Sequence, residues 1–311
     1  MPDMPEPSEA KRALLEKYLR GEVHQTGTKE RAITGPSETA VENLRERVIA
    51  VQKDGSKQPF FYLHGQWDGK FFFCYPLARD LGKDQPFYLL DPYRLEDLQV
   101  LPTLEEIAAA HIKSMRAVQP EGPYLLGGWC NGGIVAYEMA RQLHTAGQKL
   151  DLLLLMDPVT LIYPLHQRLF RHTISRIGKL AGLSQDKQFE WYLWLKQGLK
   201  HLYNYLRYSA YRRSKEARVP TAAELRHHYP SNFDWLAMDY KPSTLYPDKI
   251  TFFWSDTQIF RRGWREVEQR GEAEIHRIRG THMTSRTDHL PILTEQLRAC
   301  LNKAQLVMQD S

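Results

Sequence analysis

From residue 59 onward the sequence predicts an α/β fold, a mostly parallel sheet with helices on both faces, and three observations predict it. Short continuous apolar runs alternate with helical patterns, the order expected of βαβ units. The run Tyr124-Leu125-Leu126 passes through Gly128-Trp129-Cys130-Asn131-Gly132-Gly133 into a helical pattern from Ile134 to Leu143, which reads as strand, tight turn, helix. Leu150 to Met156, interrupted only by Asp151, reads as a central strand buried on both faces.

The elements follow in order. Residues 1–56 read as a helical leader. One helix spans Ser8 to Arg20, with Ala13, Leu14, Tyr18 and Leu19 on one stripe, and a second runs from about Glu38 to Val51 after the break at Gly35-Pro36-Ser37. The main domain spans 57–305. Phe60 to His64 is its first strand, and the loop His64 to Gly69 opens a helix from Lys70 to Leu81. Pro86 to Leu90 is the next strand. Thr103 caps a helix from Leu104 to Val118, with Glu106 in capping-box position. Past a long insertion, Lys249 to Trp254 and Ala273 to Ile278 read as strands, and a helix from Leu290 to Ala304 closes the domain before a tail at 306–311.

The insertion, about 161–240, is mostly helical in pattern and suggests a lid. Residues 161–218 carry 12 Lys/Arg and 3 Asp/Glu, about +9, in a chain whose formal net charge is +5. Aromatic residues crowd the same interval, among them Phe170, Phe189, Trp191, Tyr192, Trp194, Tyr203 and Tyr205. Charge with stacking rings is how single-stranded nucleic acid is held, but no nucleic-acid motif accompanies it. Solvated helix faces over an apolar underside explain the composition at least as well, and an acidic protein partner is the third reading.

Composition bounds the rest. At 311 residues, 42% hydrophobic and 11% aromatic, the chain can build one large core. No apolar run reaches the roughly 18 residues of a membrane span, and the acidic, proline-rich N-terminus is not a signal peptide. Cys74, Cys130 and Cys300 form neither a disulfide framework nor a metal pattern, which fits a cytoplasmic protein. No P-loop or dinucleotide fingerprint is present, so no bound cofactor or metal is expected.

The chemistry centres on Gly128-x-Cys130-x-Gly132. In a nucleophile elbow the central residue takes a strained backbone, and its neighbours must be small to clear the strand and the helix. Here the nucleophile is a thiol. It requires a base, and the base requires a group that fixes its tautomer. In the α/β-hydrolase fold the chain order is nucleophile, acid, histidine. His276 falls mid-strand and His289 at the start of the last helix, whereas His282 lies in a glycine-led loop after the final strand and is the expected base. Asp157 and Asp256 each end a strand, and position alone separates neither. The oxyanion hole should use the Asn131 N–H and an N–H from the loop after the first core strand, expected at Gln66. Trp67 and Trp129 are candidate substrate contacts, and His64 is expected to be structural.

Residues 59–305 resemble the thioesterase domains that terminate nonribosomal peptide and polyketide synthases. The likeness is densest in Gln119-Pro120-Glu121-Gly122-Pro123-Tyr124-Leu125-Leu126-Gly127-Gly128-Trp129, and continues through Tyr137-Glu138-Met139-Ala140-Arg141-Gln142-Leu143 and Gly280-Thr281-His282-Met283-Thr284. The resemblance implies an α/β-hydrolase fold with a helical lid, a triad acid at Asp157, and a substrate carried on the phosphopantetheine of an acyl or peptidyl carrier. Two departures stand out. The family's usual serine is Cys130 here, and its His-Pro-Ala-Gly-Gly loop is replaced by His64 to Gly69. Moving an acyl group from a carrier thioester to a thiol is nearly isoenergetic, so the expected acyl-enzyme stays activated toward water, amines or an internal nucleophile. The alternatives are a cysteine hydrolase of small esters or lactones, resembling dienelactone hydrolases, and a non-catalytic module that binds acyl carriers.

Overall fold

The computed structural model describes residues 48–65, 73–90, 102–207 and 229–306. Seven strands form one sheet in the order β1-β3-β2-β4-β5-β6-β7: β1 Val48–Gln52, β2 Phe60–Leu63, β3 Phe87–Leu90, β4 Tyr124–Trp129, β5 Leu150–Met156, β6 Ile250–Ser255 and β7 Ala273–Ile278. All neighbouring pairs are parallel except β1 with β3. The central strands β2, β4, β5 and β6 are almost wholly buried, which is why they read as unbroken apolar runs rather than alternating ones.

Helices cover both faces. Against one face pack α1 (Cys74–Leu81) and α8 (Leu290–Leu306), burying Leu77, Leu81, Leu293 and Leu297 on Phe60, Tyr62, Leu125 and Leu154. On the other lie α2 (Leu104–Val118) and α3 (Asn131–Thr145), with Ile107, Met115, Val135 and Met139 against Phe61, Leu126 and Leu153. The Thr103 cap forms as expected, with the Glu106 N–H on Thr103 Oγ1 at 3.2 Å and the Thr103 N–H on Glu106 Oε2 at 2.7 Å.

Between β5 and β6 the chain inserts α4 (Leu165–Leu180), α5 (Gln185–Arg207) and α6 (Tyr229–Ala237), so the insertion expected as a lid is mainly helical in its described part. Its underside is an aromatic cluster: Tyr192 meets Trp235 at 4.9 Å, Phe189 meets Trp235 at 5.6 Å, and the Arg171 guanidinium lies 4.2 Å over Trp235. Trp191, Trp194, Leu202 and Tyr203 face outward. The crowd of rings thus divides between an apolar underside and an exposed surface. A short α7 (Arg265–Arg270) precedes β7.

One expectation is corrected. The helix proposed to run to Val51 gives way to a strand at Val48–Gln52, which pairs Val48 with Leu90, Ile49 with Leu89 and Ala50 with Tyr88. The edge of β3 offers unpaired backbone groups, and a run containing Val48, Ile49 and Val51 satisfies them better than a helix end would. The sheet therefore begins within the segment assigned to the leader. The first leader helix and residues 38–47 lie outside the described residues, as do the tail at 307–311 and residues 70–72 of the helix expected from Lys70. Among the described residues no helix is long and apolar enough to cross a membrane.

Candidate active site

The turn between β4 and α3 is built by exclusion. A Cβ on Gly128 would lie 2.3 Å from the Gly132 carbonyl oxygen, and one on Gly132 would lie 2.3 Å from that of Leu63. Only glycine at both positions lets helix and strands approach this closely. Cys130 is thereby held at φ 56°, ψ −122°, a conformation that β-carbon-bearing residues rarely adopt. Its N–H donates to Met156 O at 3.1 Å, and its carbonyl accepts from Gly133 and Val159, each at 3.1 Å. Strain at the apex is thus balanced by bonds to β5, to the segment that follows it and to α3.

Burial pushes the Cys130 thiol up to about 12, although a hydrogen bond from the Asn131 N–H and the charge of Arg286 pull the other way. The resting group is a neutral thiol. The expected oxyanion donor at Asn131 is therefore directed at the sulfur in this state. Gly65, at φ 65°, brings the loop after β2 against the apex, since a Cβ there would meet Trp129 O at 2.1 Å and Cys130 Cβ at 3.0 Å. Gln66 and Trp67, assigned to the oxyanion hole and to substrate, lie outside the described residues.

The structure separates the two carboxylates that position left tied. Asp157, 1% exposed, takes φ 39° directly after β5. Its Oδ1 accepts the Ser255 N–H at 2.9 Å, and its Oδ2 lies 3.3 Å from His282 Nδ1. Asp256 points the other way: it accepts the Gly280 N–H at 2.9 Å and meets Arg277 at 3.5 Å. It fastens the loop that carries His282 without touching the imidazole. His276 sits in β7 beside Glu274, at 3.0 Å, and His64 is buried at the end of β2.

Trp129 is 2% exposed, so it has little surface to offer a substrate. It stacks on His282 with centroids 4.2 Å apart and planes at 21°, and Phe260 closes on the imidazole edge-on at 5.7 Å. Sequence reasoning missed Phe260, Gly65 and Arg286. Arg286 lies four residues past His282, but nothing in that spacing identifies the ring it packs on.

The thioesterase domain family model matches residues 75–301. A dimodular nonribosomal peptide synthase of Bacillus subtilis (strain 168) is 37% identical over 142 residues, 45% of this chain and 6% of that protein. A non-reducing polyketide synthase of Pseudevernia furfuracea is 36% identical over 124 residues, 40% of this chain and 6% of that protein. The chain thus spans only a small part of the length of these relatives. Among solved structures, the NocB thioesterase domain, in covalent complex with a fluorophosphonate nocardicin G analog, superposes with a TM-score of 0.54 at 21% identity, covering 82% of this chain and 99% of that one. That likeness concerns the fold alone, whereas the family match takes in the elbow, the strand ending at Asp157 and the loop of His282. By that match the chain belongs to the thioesterase domain family.

Proposed function

We propose that the protein takes an acyl or peptidyl chain from a carrier-bound phosphopantetheine onto Cys130 and releases it by hydrolysis, aminolysis or cyclisation in nonribosomal peptide or polyketide biosynthesis. The observation that carries this reading is the buried Asp157 carboxylate against Nδ1 of His282, on the loop that follows β7, in a chain whose elbow places a thiol where the family places a hydroxyl. Asp157 accepts from Nδ1–H, which leaves Nε2 unprotonated and able to take a proton.

In this mechanism Nε2 of His282 takes the Cys130 proton as the sulfur attacks the thioester carbonyl. The tetrahedral oxyanion is held by the backbone N–H of Asn131, with the second donor the one expected from the sequence at Gln66. Collapse breaks the carbon–sulfur bond to pantetheine, and the imidazolium returns its proton to the departing thiolate. The acyl group is then a thioester of Cys130. Water, an amine or a hydroxyl of the chain itself, deprotonated by His282, attacks it and restores the thiol. Because thioester replaces thioester, the intermediate keeps its reactivity toward amines as well as water.

The test compares an acyl-pantetheine thioester with an oxygen ester of the same acyl chain, each with water and with an added amine as acceptor. Preference for the thioester, abolished by Cys130→Ala, is expected. Equal turnover of small oxygen esters would contradict the reading and favour a general cysteine esterase.

A further inference from the structure

Arg286 is buried, 5% exposed, in the 3-10 turn Thr284–Arg286 directly after the His282 loop. Taking a guanidinium out of water costs several kcal/mol unless its surroundings compensate, and two aromatic faces are part of those surroundings. Its Cζ lies 4.1 Å over the Trp129 ring and 5.0 Å over that of Phe73, and an Nη–H donates to Met283 Sδ at 3.3 Å. Phe73 in turn meets the Trp129 edge at 5.9 Å. The indole that carries His282 is thus fixed by a cation and a ring. Its own Nε1–H, though buried, has no hydrogen-bond partner among the described residues.

The imidazole depends on that platform. Its bond to Asp157 is 3.3 Å long, well beyond the roughly 2.7–2.9 Å of a strong charge-assisted hydrogen bond. Orientation about that single contact is loose, and the stack on Trp129 supplies what the carboxylate does not. We infer that Arg286 is a positioning residue for the Cys130–His282 pair: through Trp129 it sets the plane of the imidazole that takes the thiol proton. The inference rests on the catalytic reading given above.

The charge of Arg286 acts in the same place: it lowers the proton affinity of Cys130, Cys74 and Tyr62, in each case against the larger opposing effect of burial. Asp157 and Asp234 act on Cys130 in the opposite direction, and a hydrogen bond from the Asn131 N–H acts in the same direction as Arg286.

The experiment measures alkylation of Cys130 by iodoacetamide at fixed pH between 7 and 10, located by peptide mapping, together with kcat and KM on an acyl-pantetheine. Arg286→Met keeps the length and packing of the side chain and removes the charge. Arg286→Lys keeps the charge. Each unit by which the thiol is raised slows alkylation at fixed pH about tenfold. Arg286→Met is therefore expected to react about tenfold or more slowly and to lose kcat with KM little changed. Arg286→Lys should recover most of the alkylation rate but not all of kcat, because an ammonium stacks less well on an indole. Wild-type alkylation in Arg286→Met, or equal slowing in both variants, overturns the inference. If Arg286→Met does not fold, Arg286→Lys decides alone: alkylation near the wild-type rate with reduced kcat supports the inference, and any other pairing contradicts it. A wild-type protein that never becomes acylated at Cys130 would defeat the catalytic reading, whereas an acylated one indifferent to Arg286 defeats only this inference.

Discussion

Cys130 combines a strained backbone with a thiol pushed up to about 12 by burial, so almost none of it is thiolate near neutrality. Its alkylation rate should therefore keep climbing about tenfold per pH unit beyond pH 9, as a raised thiol loses its proton only at higher pH. A plateau near pH 8 would contradict this. Asp157→Asn should cost about a thousandfold or more in kcat by freeing the wrong tautomer, while Asp256→Asn, which touches only the loop, should cost far less. Steady-state kinetics on the pair separates them. The sequence pointed to Cys130 and His282 because elbow spacing and a glycine-led loop are local features. Position alone could not separate Asp157 from Asp256, since both end strands in one crevice, and only the family resemblance favoured Asp157. What distinguishes them is the left-handed backbone at Asp157 and an N–H from Ser255, on a strand that joins the sheet only after the lid. Arg286 was illegible for the same reason, because its ring partners Trp129 and Phe73 are remote in the chain.

Among the elements, α3 is tightly constrained at its start. Gly132→Ala would set a methyl against the Leu63 carbonyl, at 2.3 Å, and overpacking of backbone by that much should cost on the order of 3 kcal/mol. Gly198, inside α5 with nothing within 4 Å of an added Cβ, is the contrast: Gly198→Ala should stabilise by roughly 0.5–1 kcal/mol. Denaturant titration of both variants checks the pair. The far end of α3 is tied to the lid by Glu138, which accepts from Arg141 at 2.6 Å and from Gln142 at 3.0 Å, and also from the Tyr240 hydroxyl. Glu138→Ala would remove the carboxylate from half-buried Arg141, which keeps its bonds to Thr244 O and Ser243 Oγ, a loss of about 1–2 kcal/mol. At the other edge, hydrogen bonds from Lys249 above all, then Lys303 and His276, draw Glu274 down to about 2 from 4.5. A depressed carboxyl stabilises the fold above its unfolded value, so this contribution is complete above about pH 4.5 and fades as pH falls toward 2; partial exposure keeps it small. The strand at Val48–Gln52 escaped sequence reading because its pairing partner, not its own pattern, decides its conformation.

At the scale of the molecule, one sheet gathers the carboxyl ends of β4, β5, β6 and β7, and with them Cys130, Asp157, Asp256 and the loop of His282. The architecture was legible because buried parallel strands and amphipathic helices write different periods into the chain. The lid was legible as helical, but which of its rings face inward is set by tertiary packing around Trp235. The stretch 161–218, about +9, suits an acidic carrier. Turnover of a carrier-borne acyl group should therefore fall with ionic strength, while turnover of the same group on free pantetheine should not. The most direct test of the whole account is intact mass after mixing with an acyl-pantetheine. The account predicts a single acyl adduct on the wild-type protein, mapped to Cys130 and absent from Cys130→Ala. An adduct that persists undiminished in Cys130→Ala, or none on the wild type, would contradict it.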